Sequence, residues 1–193
     1  MATTTTVSCQ SSYVARAGGV KFLRSLSASV LLLLLPLRAQ AQEQIPFESD
    51  YQGTFTLAFG AGPDGTDALS FSGSGIASGL GKSSVDGHTT TRPDEDDPLC
   101  SEIVTDQVIL TAANGDELWL VNSGEDCLDF SVPGQVFIRG SGTFQVVGGT
   151  GRFAGATGSG TFKVVAEVTD LEATGASGTF DLVFDGNISL VES

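Results

Sequence analysis

The chain has 193 residues, a formal net charge of −14 and a sequence pI near 4.1. All 23 acidic residues lie beyond residue 41, opposed there only by Lys82, Arg92, Arg139, Arg152 and Lys163. Such a surface repels polyanions, so nucleic acid and anionic lipid head groups are excluded as partners, and the length fits one domain with a real core.

Residues 1–41 contain no Asp or Glu, carry Arg16, Lys21, Arg24 and Arg38, and hold the apolar run Val30 to Leu35. The run is too short for a membrane span, and Ala39-Gln40-Ala41 offers the small-x-small pattern that signal peptidase accepts. The expectation is a targeting segment over 1–41, cut before Gln42, with a single domain over 42–193 and no span in the mature chain. Starting at Val20 gives a signal of ordinary length, so Val20 is a candidate start. The location expected is secreted or periplasmic; the alternative, since the first residues are rich in Ser and Thr, is an organelle lumen reached by a two-part presequence.

From Gln42 onward Gly, Thr, Ser, Val and Phe dominate, turn signals are frequent and helix-period stretches are absent. Strands are predicted near 51–60, 68–78, 84–91, 102–112, 116–122, 134–147, 156–169 and 174–190. Eight antiparallel strands are enough to close a barrel around side chains or one small ligand. Asn114-Gly115 is a two-residue hairpin signal between Val108-Ile109-Leu110 and Leu118-Trp119-Leu120-Val121. It places Cys100 and Cys127 almost opposite one another at the hairpin's open end, and an even pair in an exported chain predicts a disulfide.

A repeat follows: Ser141-Gly142-Thr143-Phe144, Ser159-Gly160-Thr161-Phe162 and Ser177-Gly178-Thr179-Phe180, with Gln52-Gly53-Thr54-Phe55 as a weaker fourth copy. Antiparallel pairing about Arg152 sets Gly142 against Phe162 and Phe144 against Gly160. Pairing about Asp170 sets Phe162 against Gly178. Glycine lets a neighbouring ring lie across it and permits the bend that closure needs, so Phe144, Phe162 and Phe180 are predicted core. A solenoid is the alternative for a fixed period, but the segments from 56 to 135 do not share it.

Gly149-Thr150-Gly151-Arg152-Phe153-Ala154 matches the dinucleotide-binding pattern letter for letter. That chemistry needs a helix to start there, whereas Gly155, Gly158 and Gly160 follow and the next apolar pattern is a strand, so a glycine-built turn is expected. The stretch Val146 to Phe153 resembles the signature of plant dirigent proteins. Its continuation, Phe153-Ala154-Gly155-Ala156-Thr157-Gly158, is similar to allene oxide cyclases and their bacterial exported relatives. The resemblance implies an eight-stranded antiparallel barrel with a central cavity, and gives Gly148, Gly149, Gly151, Phe153 and Gly155 the role of a structural turn. It carries over no catalytic residue.

His88 is the single histidine, so Ser-His-Asp and multi-histidine zinc sites lack their parts. The run Asp94, Glu95, Asp96, Asp97 precedes Cys100, while Glu125, Asp126 and Asp129 surround Cys127, so the disulfide would draw seven carboxylates toward one end. They are candidate Ca²⁺ ligands, with no other cofactor expected; the competing reading is a solvated acidic loop, since EF-hand and RTX spacings are absent. The functional expectation is an exported acidic barrel, non-catalytic, enclosing a small apolar ligand. Its rivals are a cofactor-free isomerase, cyclase or dirigent-like protein acting on a small lipid or phenolic, and a structural extracellular protein with a filled barrel.

Overall fold

The computed structural model describes residues 44–191, so the targeting segment and its cleavage point lie outside the described residues. Eight strands run in chain order: β1 (Gln44–Ala58), β2 (Asp67–Ala77), β3 (Gly81–Pro93), β4 (Cys100–Ala112), β5 (Glu117–Asp129), β6 (Val136–Gly149), β7 (Thr157–Glu172) and β8 (Gly175–Ser189). Each pairs antiparallel with its sequence neighbours, and β1 with β8 from Gln44↔Ser189 to Ala58↔Gly175, which closes the barrel. Among the described residues no helix is long and apolar enough to cross a membrane.

Alternation explains the strands. In β8, Ala176, Phe180, Leu182 and Phe184 are buried while Thr179, Asp181, Val183 and Asp185 are exposed, the period-two pattern of a sheet with one wet face. The other strands follow the same rule, and their inward residues form one core cluster. Phe144 sits at its centre, edge-on to Phe47 at 5.8 Å and to Phe184 at 5.4 Å between ring centroids.

The glycine–phenylalanine repeat organises the wall. Gly142 pairs with Phe162 and Phe144 with Gly160 across β6 and β7. The third copy does not continue that row. Phe162 faces Phe184, because the β7–β8 turn is only Ala173-Thr174 and pairing extends to Glu172↔Gly175. Gly178 instead faces Phe55, and Gly53 faces Phe180, so the third copy pairs with the weaker fourth copy in β1. The same reciprocal unit therefore occurs twice around the cylinder. Phe144, Phe162 and Phe180 are all buried.

Cys100 and Cys127 are direct cross-strand partners on β4 and β5 and form a disulfide. The two cysteines are 27 positions apart in sequence, and the cross-link removes about 3 to 4 kcal/mol of chain entropy from the unfolded state.

A methyl group at Gly160 would meet Asp185 O at 2.2 Å and the Phe144 ring at 2.6 Å. Gly160→Ala is therefore expected to cost about 2 to 3 kcal/mol through overpacking, while Ser159→Ala on the outer face changes stability by less than about 0.5 kcal/mol. Urea unfolding of both variants measures this, and a Gly160→Ala protein as stable as the parent would remove the packing argument.

Candidate functional site

The two ends of the barrel are built differently. At one end lie the short turns β2–β3, β4–β5 and β6–β7, and this turn end is filled. The last of these turns is a 3-10 turn, Gly151–Phe153, that drives the Phe153 ring into the core with no exposure. A side chain at Gly149 would strike Phe153 Cβ at 2.7 Å, so that ring seats only over glycine. Gly151 adopts φ of 54°, in the left-handed region that favours glycine. Arg152 locks the outside: its guanidinium lies over the Phe153 ring at 4.8 Å and 3.8 Å from Asp116 Oδ2, and its backbone N–H donates to the same carboxylate. The turn motif is a plug, with a strand following it rather than a phosphate-binding helix.

At the other end, the loop end, the inward side chains shrink and turn polar, with Thr89, Thr91, Ala166 and Ala176 among them. They leave a cavity of about 70 Å³ walled by Phe55, Phe71, Phe162, Phe180 and Leu182. A vestibule of about 250 Å³ lies beyond it, bordered by Leu57, Phe59, Leu99, Phe130 and Leu171. Leu69, Ile138 and Asp126 line both spaces.

Asp126 faces inward by the alternation of β5, which places Leu118, Leu120 and Asn122 on the same face. It lies across Gly140 of β6, its register partner, where an added Cβ would fall 1.9 Å from Asp126 Oδ1. Burial, and then the charge of Asp106, push its carboxyl up to about 6.

Asp106 faces inward by the alternation of Val108 and Leu110, and a bulge interrupts β4 just before it. The β3 ladder runs from Thr90↔Thr105 to Thr91↔Ile103, skipping Val104, and the β4–β5 register slips by one residue over the same stretch. The extra residue lets Ile103 and Asp106 both turn inward. The Asp106 carboxylate accepts the Asn122 N–H at 2.7 Å and the Thr89 hydroxyl at 2.5 Å. Burial raises the Asp106 carboxyl, and these two bonds partly offset it. Asn122 Oδ1 is buried without a hydrogen-bond partner.

The other sequence-named residues lie elsewhere. Asp94 Oδ1 accepts the N–H groups of Asp96 and Asp97, Asp97 accepts that of Leu99, and Glu95 is exposed in the same loop. Glu125 points outward. Asp129 pairs with Arg139 and accepts the Ser131 N–H, which holds its carboxyl down at about 2. Of the seven candidate carboxylates only Asp126 lines the cavity. Among the described residues the single close trio of potential metal ligands is Cys100, Glu125 and Cys127, whose two sulfurs are joined to each other. His88 sits on the outer face beside Ser70 Oγ, 3.0 Å from its Nδ1.

Thr89, Asp106 and Asn122 were not singled out by the sequence, and Asp126 was named for a different role. Continuing the alternation of Leu118 and Leu120 past residue 122 would have placed Asp126 inside. No family model and no curated protein matches the chain. Among solved structures, a pterocarpan synthase dirigent protein is similar over 80% of this chain and 90% of that chain, at 14% identity and a TM-score of 0.24. The barrel assignment rests on this chain's own strand pairing.

A folded-state carboxyl near 6 against an ordinary 3.8 means that the fold keeps a proton the unfolded chain releases as pH rises between those values. Stability contributed at this site falls across that window, by up to about 3 kcal/mol when complete. Asp126→Asn should therefore be more stable than the parent near pH 7.5 and lose that advantage near pH 3.5, in urea midpoints read at both. An equal difference at the two pH values would contradict a raised carboxyl.

Proposed function

We propose that this is an exported binding protein that takes up a small, largely apolar ligand through the loop-end mouth of its barrel. The observation that carries the reading is the contrast between the two ends. Phe153 seals one, while the other holds an aromatic-walled cavity continuous in its lining with a vestibule. The rim exposes Phe59 at 42%, Leu99 at 49%, Phe130 at 55% and Leu171 at 59%. Apolar side chains gathered around an opening are what an apolar ligand would cover. The basic, acid-free segment 1–41 and the disulfide support export.

The expected result is that prodan, an uncharged fluorescent naphthyl ketone, binds with a blue-shifted emission. Ala176→Trp, which fills the vestibule from an inward position, should weaken binding at least about tenfold with little loss of thermal stability. Equal binding by parent and variant would move the site away from the barrel mouth.

A second reading, a cofactor-free isomerase or dirigent-like protein, is supported by Asp126. A carboxyl that titrates near neutrality at an apolar cavity is suited to giving or taking a proton. Mass spectrometry of small molecules extracted from protein isolated from its native source separates the two. A carrier returns its ligand unchanged on incubation with fresh protein. An isomerase converts it, and Asp126→Asn abolishes the conversion.

A further inference from the structure

Two carboxylates, Asp106 and Asp126, lie within the barrel, Asp67 lines its vestibule, and among the described residues no Lys, Arg or His faces inward. They are unequally satisfied. Asp106 accepts from Thr89 and Asn122, whereas Asp126 receives no bond from a protein donor among the described residues, and its nearest charged influence is the repulsive Asp106. The guanidinium of Arg139, the residue before Gly140, is held by Asp129. The polar side chains lining the cavity are Asp126 and Thr89, whose hydroxyl proton is already given to Asp106, and the rest of the wall is hydrocarbon.

We infer that the ligand is a lipophilic cation, a small alkyl- or arylammonium ion whose charged head meets Asp126 while its apolar body occupies the cavity and vestibule. This rests on the ligand-binding reading above and names the chemistry it selects. A partly buried carboxylate without a counter-charge is costly, and a cationic head both neutralises it and supplies the missing donors. The Thr89 side chain lines the same cavity and is a second polar contact for the head. An uncharged alcohol gains only one hydrogen bond. A fatty carboxylate is repelled, since it would bring a third negative group beside Asp106 and Asp126.

The approach favours the same sign. Asp64, Asp67, the acidic loop from Asp94 to Asp97, Asp170 and Glu172 all belong to the loop end, where Asp67 itself lines the vestibule. Carboxylates around a low-dielectric opening concentrate cations at it.

The test is displacement of prodan from the folded protein near pH 7.5 and in about 0.15 M salt, which screens the outer surface, by n-octylammonium, 1-octanol and octanoate. The expected order is n-octylammonium tighter than 1-octanol by at least about tenfold, with octanoate weaker than 1-octanol by a similar factor. Asp126→Asn should erase the preference for n-octylammonium over 1-octanol. The inference is overturned if n-octylammonium binds no tighter than 1-octanol to the parent protein, a comparison that needs no variant to fold. It is equally overturned if the preference survives in Asp126→Asn. If prodan and all three probes fail to bind, the cavity reading falls together with the selectivity; if only the selectivity fails, the cavity reading stands.

Discussion

Closure of this barrel depends on phenyl rings laid across inward glycines of the neighbouring strand. An inward position must either fill space or yield it, and the Gly-Thr-Phe repeat does both in alternation. Phe144 lies against Gly160 and Phe162 against Gly142, and Phe55 lies against Gly178, while Phe71 crosses Gly87 in the same way. Each ring occupies the volume its partner lacks. The glycine backbones approach the next strand so closely that a side chain there would meet carbonyl oxygen, as at Gly160. Such contact allows the strong local coiling that a small closed sheet needs.

That packing also decides where the barrel is solid. Phe47, Tyr51, Phe144, Phe153 and Phe184 concentrate toward the turn end, and all are fully buried or nearly so. Tyr51 keeps its hydroxyl there only by sharing a hydrogen bond with Ser83 at 2.8 Å, and burial pushes its ionisation above the ordinary range. Toward the loop end threonine and alanine take over the inward positions of β3, β7 and β8, and space remains. The filled half supports a rigid wall around the unfilled one, an arrangement in which a cavity is preformed rather than opened by its ligand.

The closed antiparallel fold was legible because long stretches of the strands obey period two and most turns carry glycine or a polar loop. The β6–β7 register was legible for a stronger reason, since two copies of one motif about a single turn leave few ways to pair. The β7–β8 register was misread at Asp170 because Ala173-Thr174 is an unremarkable dipeptide that makes a tight turn only under the constraint of the flanking ladder. The first strand was cut short at 51 for a similar reason. Pro46 and the acids at 48 and 50 weaken the local strand signal, while pairing of Pro46 with Asn187 depends on residues far away in sequence. Propensity sees neighbours in the chain, whereas closure is settled by neighbours across it.

The candidate site was the least legible part because it depends on irregularity. Period two read forward from Ile103 puts Asp106 outside and only period two read back from Val108 and Leu110 puts it inside, because Val104 is skipped in the ladder and no composition signal marks that bulge. Asp126 lay in a stretch whose acidity reads as a solvated loop; its side chain turns inward because β5 continues to Asp129 and Gly140 leaves room for a carboxylate. The two acids then raise one another's cost, since like charges held near a common apolar space cannot both ionise freely. A leucine at 126 would serve the core better than an acid with no partner. Retaining the acid at the junction of cavity and vestibule makes sense where something entering from the mouth completes it, because the same missing counter-charge that weakens the empty fold becomes binding free energy when a complementary group arrives.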